Sequence, residues 1–138
     1  MKLSRRGKYA LSALLDLVAL QKKEELASAR EIAKRQKIPL PFLEQLLLAC
    51  KRHHLVESKR GPNGGYALAR PASAISVFHV FSAVEERVVL VECLKRETSC
   101  LRMKSCLTRP LWEKMHRALF QILNETTLED LCQQRSSI

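Results

Sequence analysis

A mainly α-helical fold follows from three features of this 138-residue chain. Apolar residues recur at helical spacing along most of it, beginning with Ala10, Leu11, Leu14, Leu15, Leu17 and Val18. Aromatic residues make up only 5%, with four glycines and five prolines, which suits helices better than a sandwich or barrel. The strand signal is a pair of short alternating runs around one Gly/Pro/Asn-rich turn. A hydrophobic content of 46% supports a real core, and the length fits one domain or a small domain with an appendage.

In order, Ser4 to about Leu20 reads as an amphipathic helix with Arg5, Arg6 and Lys8 in its first turn. Cations there oppose the helix dipole, so either they meet phosphates or they mark an ordinary solvated end. Residues 21–27 read as a polar linker. Ser28 and Glu31 have capping-box spacing ahead of a short helix that ends near Gln36, with Ile32 and Ala33 inward. Ile38-Pro39-Leu40-Pro41 makes a turn, and Pro41 suits the first position of the next helix, which runs to about His53. Two helices joined by a tight turn form a helix-turn-helix candidate. Pro41, Glu44 and Gln45 then occupy the first exposed turns of the second helix, where Gln can pair with adenine and Glu can accept from cytosine N4.

The hairpin follows directly, Leu55 to Leu68, with Lys59, Arg60 and Gly61 at its tip. A hairpin placed after a helix-turn-helix is a wing, and its arginine can enter a narrow minor groove. The glycines here lack the Gly-Lys-Ser/Thr sequence of a phosphate loop. Ser76 to about Glu86 reads as a helix with Val77, Val80, Phe81 and Val84 inward and His79 at the edge of the core. Pro110 to about Asn124 reads as a longer helix. Its stripe of Leu111, Met115, Ala118, Leu119 and Ile122 is broad enough to meet a partner helix as well as its own chain. Thr126 and Glu129 have capping-box spacing before a short last helix whose end, from Gln133, is expected to fray.

Charge divides the chain. Residues 1–70 hold 15 Lys+Arg against 6 Asp+Glu, whereas residues 71–138 hold 9 against 8. The excess positive charge therefore lies with the helix-turn-helix and hairpin, as polyanion binding requires. No apolar run is long enough to span a membrane, and the basic N-terminus lacks the pattern of a signal peptide, so a cytoplasmic location is expected. No Ser/His/Asp set, carboxylate pair or phosphate loop points to an enzyme.

Cys93, Cys100 and Cys106 are concentrated in a basic segment containing Lys95, Arg96, Arg102 and Lys104. Packing cysteines sit on apolar faces, as Cys50 and Cys132 are placed to do. Cysteines among cations favour the thiolate, which suits a soft metal centre or a redox thiol. Three thiolates with an open fourth position would suit zinc, but no Cys-x-x-Cys knuckle is present.

Several runs together resemble the IscR/NsrR-type winged-helix regulators, on the IscR side of that family. They are Leu3-Ser4…Gly7-Lys8-Tyr9-Ala10-Leu11…Leu14-Leu15-Asp16-Leu17, Ile32-Ala33…Ile38…Phe42-Leu43-Glu44-Gln45-Leu46, Arg60-Gly61-Pro62…Gly64-Gly65-Tyr66…Leu68, Cys106-Leu107-Thr108…Leu111-Trp112 and Thr127-Leu128-Glu129-Asp130-Leu131. The resemblance implies a homodimer that reads a palindromic double-stranded operator, as a repressor, with an iron–sulfur cluster on Cys93, Cys100 and Cys106, [2Fe–2S] rather than [4Fe–4S]. Glu44 and Gln45 match its base-reading pair and Arg60 its minor-groove arginine. Arg109 stands where IscR-like members carry a fourth-ligand histidine, and Lys8 where NsrR-like members carry a ligand aspartate. Neither can coordinate. The fourth ligand is thus left open among Glu92, Glu97, Glu85/Glu86, His116 and solvent or a small thiol, or the cysteines act as a cluster-free switch responding to thiol oxidation or a metabolite. His53-His54 stand where the family usually has glycine, so a histidine must take an awkward backbone or extend the helix.

The expected organisation is a winged helix-turn-helix DNA-binding domain over 1–85 with a two-stranded β wing, a cysteine-rich cluster loop over 86–109, and a dimerisation helix plus short C-terminal helix over 110–138.

Overall fold

In the computed structural model, which describes residues 2–91, 94 and 105–136, the chain forms six α-helices and a two-stranded antiparallel hairpin that packs against the first and third of them. Helix α1 (Arg5–Gln21) starts at Ser4, whose hydroxyl accepts from the Gly7 amide, and buries Ala10, Ala13, Leu14, Leu17 and Val18. Helix α2 (Ala29–Gln36) starts at Ser28, which accepts from the Glu31 amide at 3.1 Å. The reciprocal half of the expected box does not form. The Glu31 carboxylate lies along its own helix, 3.8 Å from Arg35. Asp16, on the buried side of α1, is satisfied by Arg35 at 2.7 Å and by Gln36 at 2.9 Å, which ties α2 to α1.

Helix α3 (Leu40–Arg52) has Pro39 as N-cap, so Pro41 is its second residue rather than its first. Leu43, Leu46, Leu47 and Cys50 face the core. Strands β1 (Val56–Lys59) and β2 (Gly65–Leu68) pair from Val56↔Leu68 to Lys59↔Gly65. The expected polar linker proves to be structural at its end. Ala27 pairs with Tyr66 through two backbone hydrogen bonds, 3.1 and 2.7 Å, adding a one-residue third strand to the wing.

Four helices end through a left-handed residue that is not glycine: Glu24, Lys37, His54 and Glu85, with φ of 54–58°. Each has the same signature. The amide of the following residue reaches back five positions, as Leu55 to the Cys50 carbonyl (2.9 Å) and Glu86 to that of Phe81 (2.8 Å). After α2 and α3 the following residue, Ile38 or Leu55, is buried, and that packing offsets a backbone cost of about 1–2 kcal/mol. The awkward backbone expected at His53-His54 is thus the one adopted. Arg70 covers the end of α3 by donating to the His53 and His54 carbonyls at 3.3 and 3.2 Å.

This reversal also shortens the next helix. A helix to about Glu86 is expected, but α4 spans only Val77–Ala83, because Glu85 turns left-handed. His79 is not a core-edge residue. It is exposed, and its Nδ1 accepts from the Ser76 amide while Ser76 Oγ accepts from the His79 amide, a complete capping box.

Helix α5 (Arg109–Glu125) has no buried residue. One side meets α4, with Phe120 edge-on to Phe78 at 4.7 Å. The other leaves Leu111 51% and Ile122 60% exposed. The final capping box is displaced by one residue. Thr127 and Asp130 exchange side-chain-to-amide bonds at 2.9 and 3.0 Å, while Thr126 donates to the Ile122 carbonyl. Helix α6 (Leu128–Ser136) then returns to the first half, packing on α1 and on the 3₁₀ turn Ala72–Ala74, with Leu128 fully buried. Backbone bonds from Val77 to Thr126 and from Leu128 to Ile75 stitch this return in place.

Candidate nucleic-acid interface and cysteine loop

The interface is built on α3. Burying Leu43, Leu46, Leu47 and Cys50 turns Pro41, Glu44, Gln45 and Leu48 outward, and all four are exposed. The helix is held at both ends, by its tie to α2 through the Pro39 turn and by Arg70 at its C-terminus. Lys51 donates to the Ser58 hydroxyl at 2.6 Å and so fixes the helix against the wing. Lys59, Arg60 and Gly61 are exposed at the wing tip, where the Gly64 amide closes the turn onto the Gly61 carbonyl and Gly61 has a φ of 111°.

Arg5 and Lys8 are exposed on the first turn of α1. Arg6 between them is used structurally, donating to the Val84 carbonyl at 3.0 Å. Arg6, Gln45, Leu48, Arg52, His53 and Glu85 line a shared groove. The start of α1, the outward face of α3 and the turn after α4 therefore form one surface. Arg52 belongs to it and is absent from the sequence-based set, because its charge reads like any other at a helix end.

Of the loop cysteines, Cys106 is described, whereas Cys93 and Cys100, with Glu92 and Glu97, lie outside the described residues. Cys106 is partly exposed just ahead of α5. Thr108 Oγ1 lies 3.3 Å from its Sγ. That side-chain bond, then the Thr108 and Arg109 amides and the Arg109 charge, hold the Cys106 thiol below its usual range against a small opposing effect of burial. Such a thiol fits ligation of a soft metal centre and equally fits a redox thiol. Arg109 itself is paired with Glu113 at 2.9 Å. Among the described residues no three His, Cys, Asp or Glu side chains form a metal site.

A cleft of about 670 Å³ between α4 and α5 is lined by residues 85–89, the segment leading into the loop, and by Phe78, Leu119 and His116. The His116 Nδ1 is buried there with no hydrogen-bond partner. Glu86, by contrast, is engaged with Ser4.

Cys50 behaves oppositely to Cys106. It is 1% exposed, and burial pushes its thiol up to about 12. At pH 7, iodoacetamide is expected to label Cys106 with a rate–pH profile inflecting below that of an ordinary cysteine. Cys50 is expected to stay unlabelled until urea unfolds the chain. Peptide mass spectrometry at a series of pH values checks both, and equal labelling of the two would contradict these environments.

Residues 3–134 match the Rrf2 family, iron-dependent transcriptional regulators. The chain belongs to the Rrf2 family. It is 45% identical over 135 residues to the HTH-type transcriptional regulator IscR of Cereibacter sphaeroides, covering 95% of this chain and 86% of that one. Among solved structures it resembles CymR (YrzC), the global cysteine regulator of B. subtilis, with a TM-score of 0.83 at 30% identity over 97% of this chain and 98% of that one. T. potens IscR gives 0.78 at 30% identity over 98% and 88%. This Rrf2 protein is accordingly a winged-helix, IscR-like transcription regulator and not an enzyme. Among the described residues no helix is long and apolar enough to cross a membrane.

Proposed function

We propose that this Rrf2 regulator is a homodimer that binds a palindromic operator, acting as a repressor, and that an iron–sulfur cluster on Cys93, Cys100 and Cys106 sets its DNA affinity. The observation that carries the reading is the thiolate-supporting setting of Cys106, in a chain whose helix-turn-helix and wing carry the positive charge. Glu44 and Gln45 read bases in the major groove. Arg60 enters the minor groove, and Lys59, Arg5 and Lys8 meet phosphates, with Pro41 and Gly61 shaping the approach. The exposed side of α5, with Leu111, Met115 and Ile122, faces the same helix of a second copy, whose two-fold axis matches a palindrome. The cluster is [2Fe–2S] in preference to [4Fe–4S], and His116 offers an unpartnered ring nitrogen for the fourth position.

Anaerobic purification of wild type and Cys100→Ala, with a visible spectrum and iron and sulfide counts, tests the cluster. A brown wild type with matched iron and sulfide, and a colourless variant, is the expected result. A wild type that stays colourless after reconstitution would remove the cluster from the reading. The lowered Cys106 thiol favours one alternative in that case, a regulator that senses thiol oxidation.

The DNA assignments have a separate check in binding titrations against salt. Gln45→Ala should cost about 1–3 kcal/mol on the operator and relax its sequence preference, whereas Lys59→Ala should weaken all sequences alike and lower the salt slope by about one. The reverse pattern would exchange the two roles.

A further inference from the structure

The turn after α4 is built around one side chain. Glu86 occupies the position that Ile38 and Leu55 occupy after α2 and α3, and those two residues are buried in the core. Glu25, in the same position after α1, is exposed to solvent. Glu86 does neither, reaching instead across to the N-terminus of another helix. Its Oε1 accepts from the Ser4 amide at 3.0 Å, and its Oε2 accepts from the Ser4 hydroxyl. Ser4 Oγ in turn accepts from the Gly7 amide, so the carboxylate and the first turn of α1 form one relay.

Gly7 makes room for this. It sits inside α1, where glycine is a poor choice, and a Cβ there would lie 2.9 Å from Glu86 Cγ. Arg6 closes the contact from the other side by donating to the Val84 carbonyl. Glu85 of the same turn lines the groove that also contains Gln45 of α3. Residues 84–86 thus touch the start of α1, and Glu85 shares a groove with the outward face of α3, while the chain leads from them through residues 87–91 into the cysteine segment.

We propose that Glu86 is a positioning residue that transmits the state of the cysteine loop to the DNA-binding surface, by holding or releasing the N-terminal turn of α1. The inference rests on the loop-controlled reading above. Its geometric basis is the clasp between Ser4, Gly7 and Glu86. When the segment after residue 86 shifts, the carboxylate moves with it. Ser4 loses its acceptor, and the turn carrying Arg5 and Lys8 is no longer fixed relative to α3.

The test uses hydrogen–deuterium exchange of the full-length protein in a Cys132→Ser background, so that thiol modification falls on the loop. Exchange over residues 2–15 is compared between the free thiols and the protein treated with methyl methanethiosulfonate, for the unmodified clasp, for Glu86→Ala and for Gly7→Ala. Gly7→Ala displaces the carboxylate by filling its notch while leaving a good helix former in α1. With the clasp intact, exchange over residues 2–15 is expected to change at least fivefold on modification. In both variants the change is expected to fall below twofold, with α3 amides unaffected. No change with the clasp intact, or an equal change in the variants, would overturn the proposal. Operator affinity measured on the same samples separates it from the reading beneath it. A ratio between loop states that collapses to near one in the variants supports the coupling. A ratio of one with the clasp intact, alongside a Glu86-dependent exchange change, leaves the clasp standing and removes control of DNA binding.

Discussion

Leu128→Ala is expected to destabilise the protein by about 3–5 kcal/mol. Leu128 is fully buried although it starts the last helix of the chain. It fills the core beside α1 and the Ala72–Ala74 turn, and its amide is bonded to the Ile75 carbonyl. Truncation leaves a cavity that the backbone stitch prevents from collapsing, so the cavity adds fully to the lost transfer energy. Urea unfolding should show a lower midpoint at unchanged slope, and the thermal midpoint should fall by on the order of 10 °C. A loss below about 1 kcal/mol would mean that α6 docks only loosely, and that the C-terminal segment belongs with α5 rather than with the core.

The second large effect is expected at Gly65. With φ at 153° and a Cβ that would lie 2.6 Å from the Ala27 carbonyl oxygen, Gly65→Ala meets backbone on both counts, and backbone cannot rotate away. Conformational strain and overpacking each cost about 1–3 kcal/mol. The local way out is to break the Ala27–Tyr66 pairing and let the hairpin swing from α1. DNA affinity should therefore fall tenfold or more, a change of about 1.4 kcal/mol, while helix content measured by circular dichroism is kept. Gly61→Ala is the control. Gly61 also has positive φ, but nothing lies within 4 Å of its Cβ position, so it should show strain alone. Equal effects at the two glycines would show that turn strain, and not the junction with Ala27, governs the wing.

Helix starts were legible in the sequence because their signal is local. Ser4, Ser28 and Ser76 each accept from an amide three residues on, and that bond needs nothing beyond its own turn. The last cap shows the limit of the rule. Thr126 and Glu129 have the right spacing, but so do Thr127 and Asp130, and the pairing of Val77 and Leu128 with neighbouring backbone selects the second pair. The apolar stripes likewise identified which faces of α1 and α3 go inward, and hence which residues α3 turns outward. On α5 the stripe could not divide itself between its own chain and a partner. The structure assigns Leu119, Phe120 and Leu123 to the α4 side and leaves Leu111 and Ile122 open.

By itself, then, the sequence determined the helical fold, the order of helix-turn-helix and hairpin, the placement of charge, and a thiol-rich segment whose neighbours favour thiolate. Each is written in spacing or composition within a few turns of chain. The tertiary structure alone decided that α4 stops at Ala83, how the chain turns after α2 and α3, that Ala27 joins the wing, that α6 returns to the core, and that Glu86 clasps α1. Helix ends at Lys37 and His54 carry no glycine signal, because burial of the next residue, Ile38 or Leu55, outweighs a small backbone cost. The Ala27 pairing and the Glu86 clasp join residues 39 and 82 positions apart in sequence. Such contacts are specified by packing of the whole chain, which no local pattern encodes.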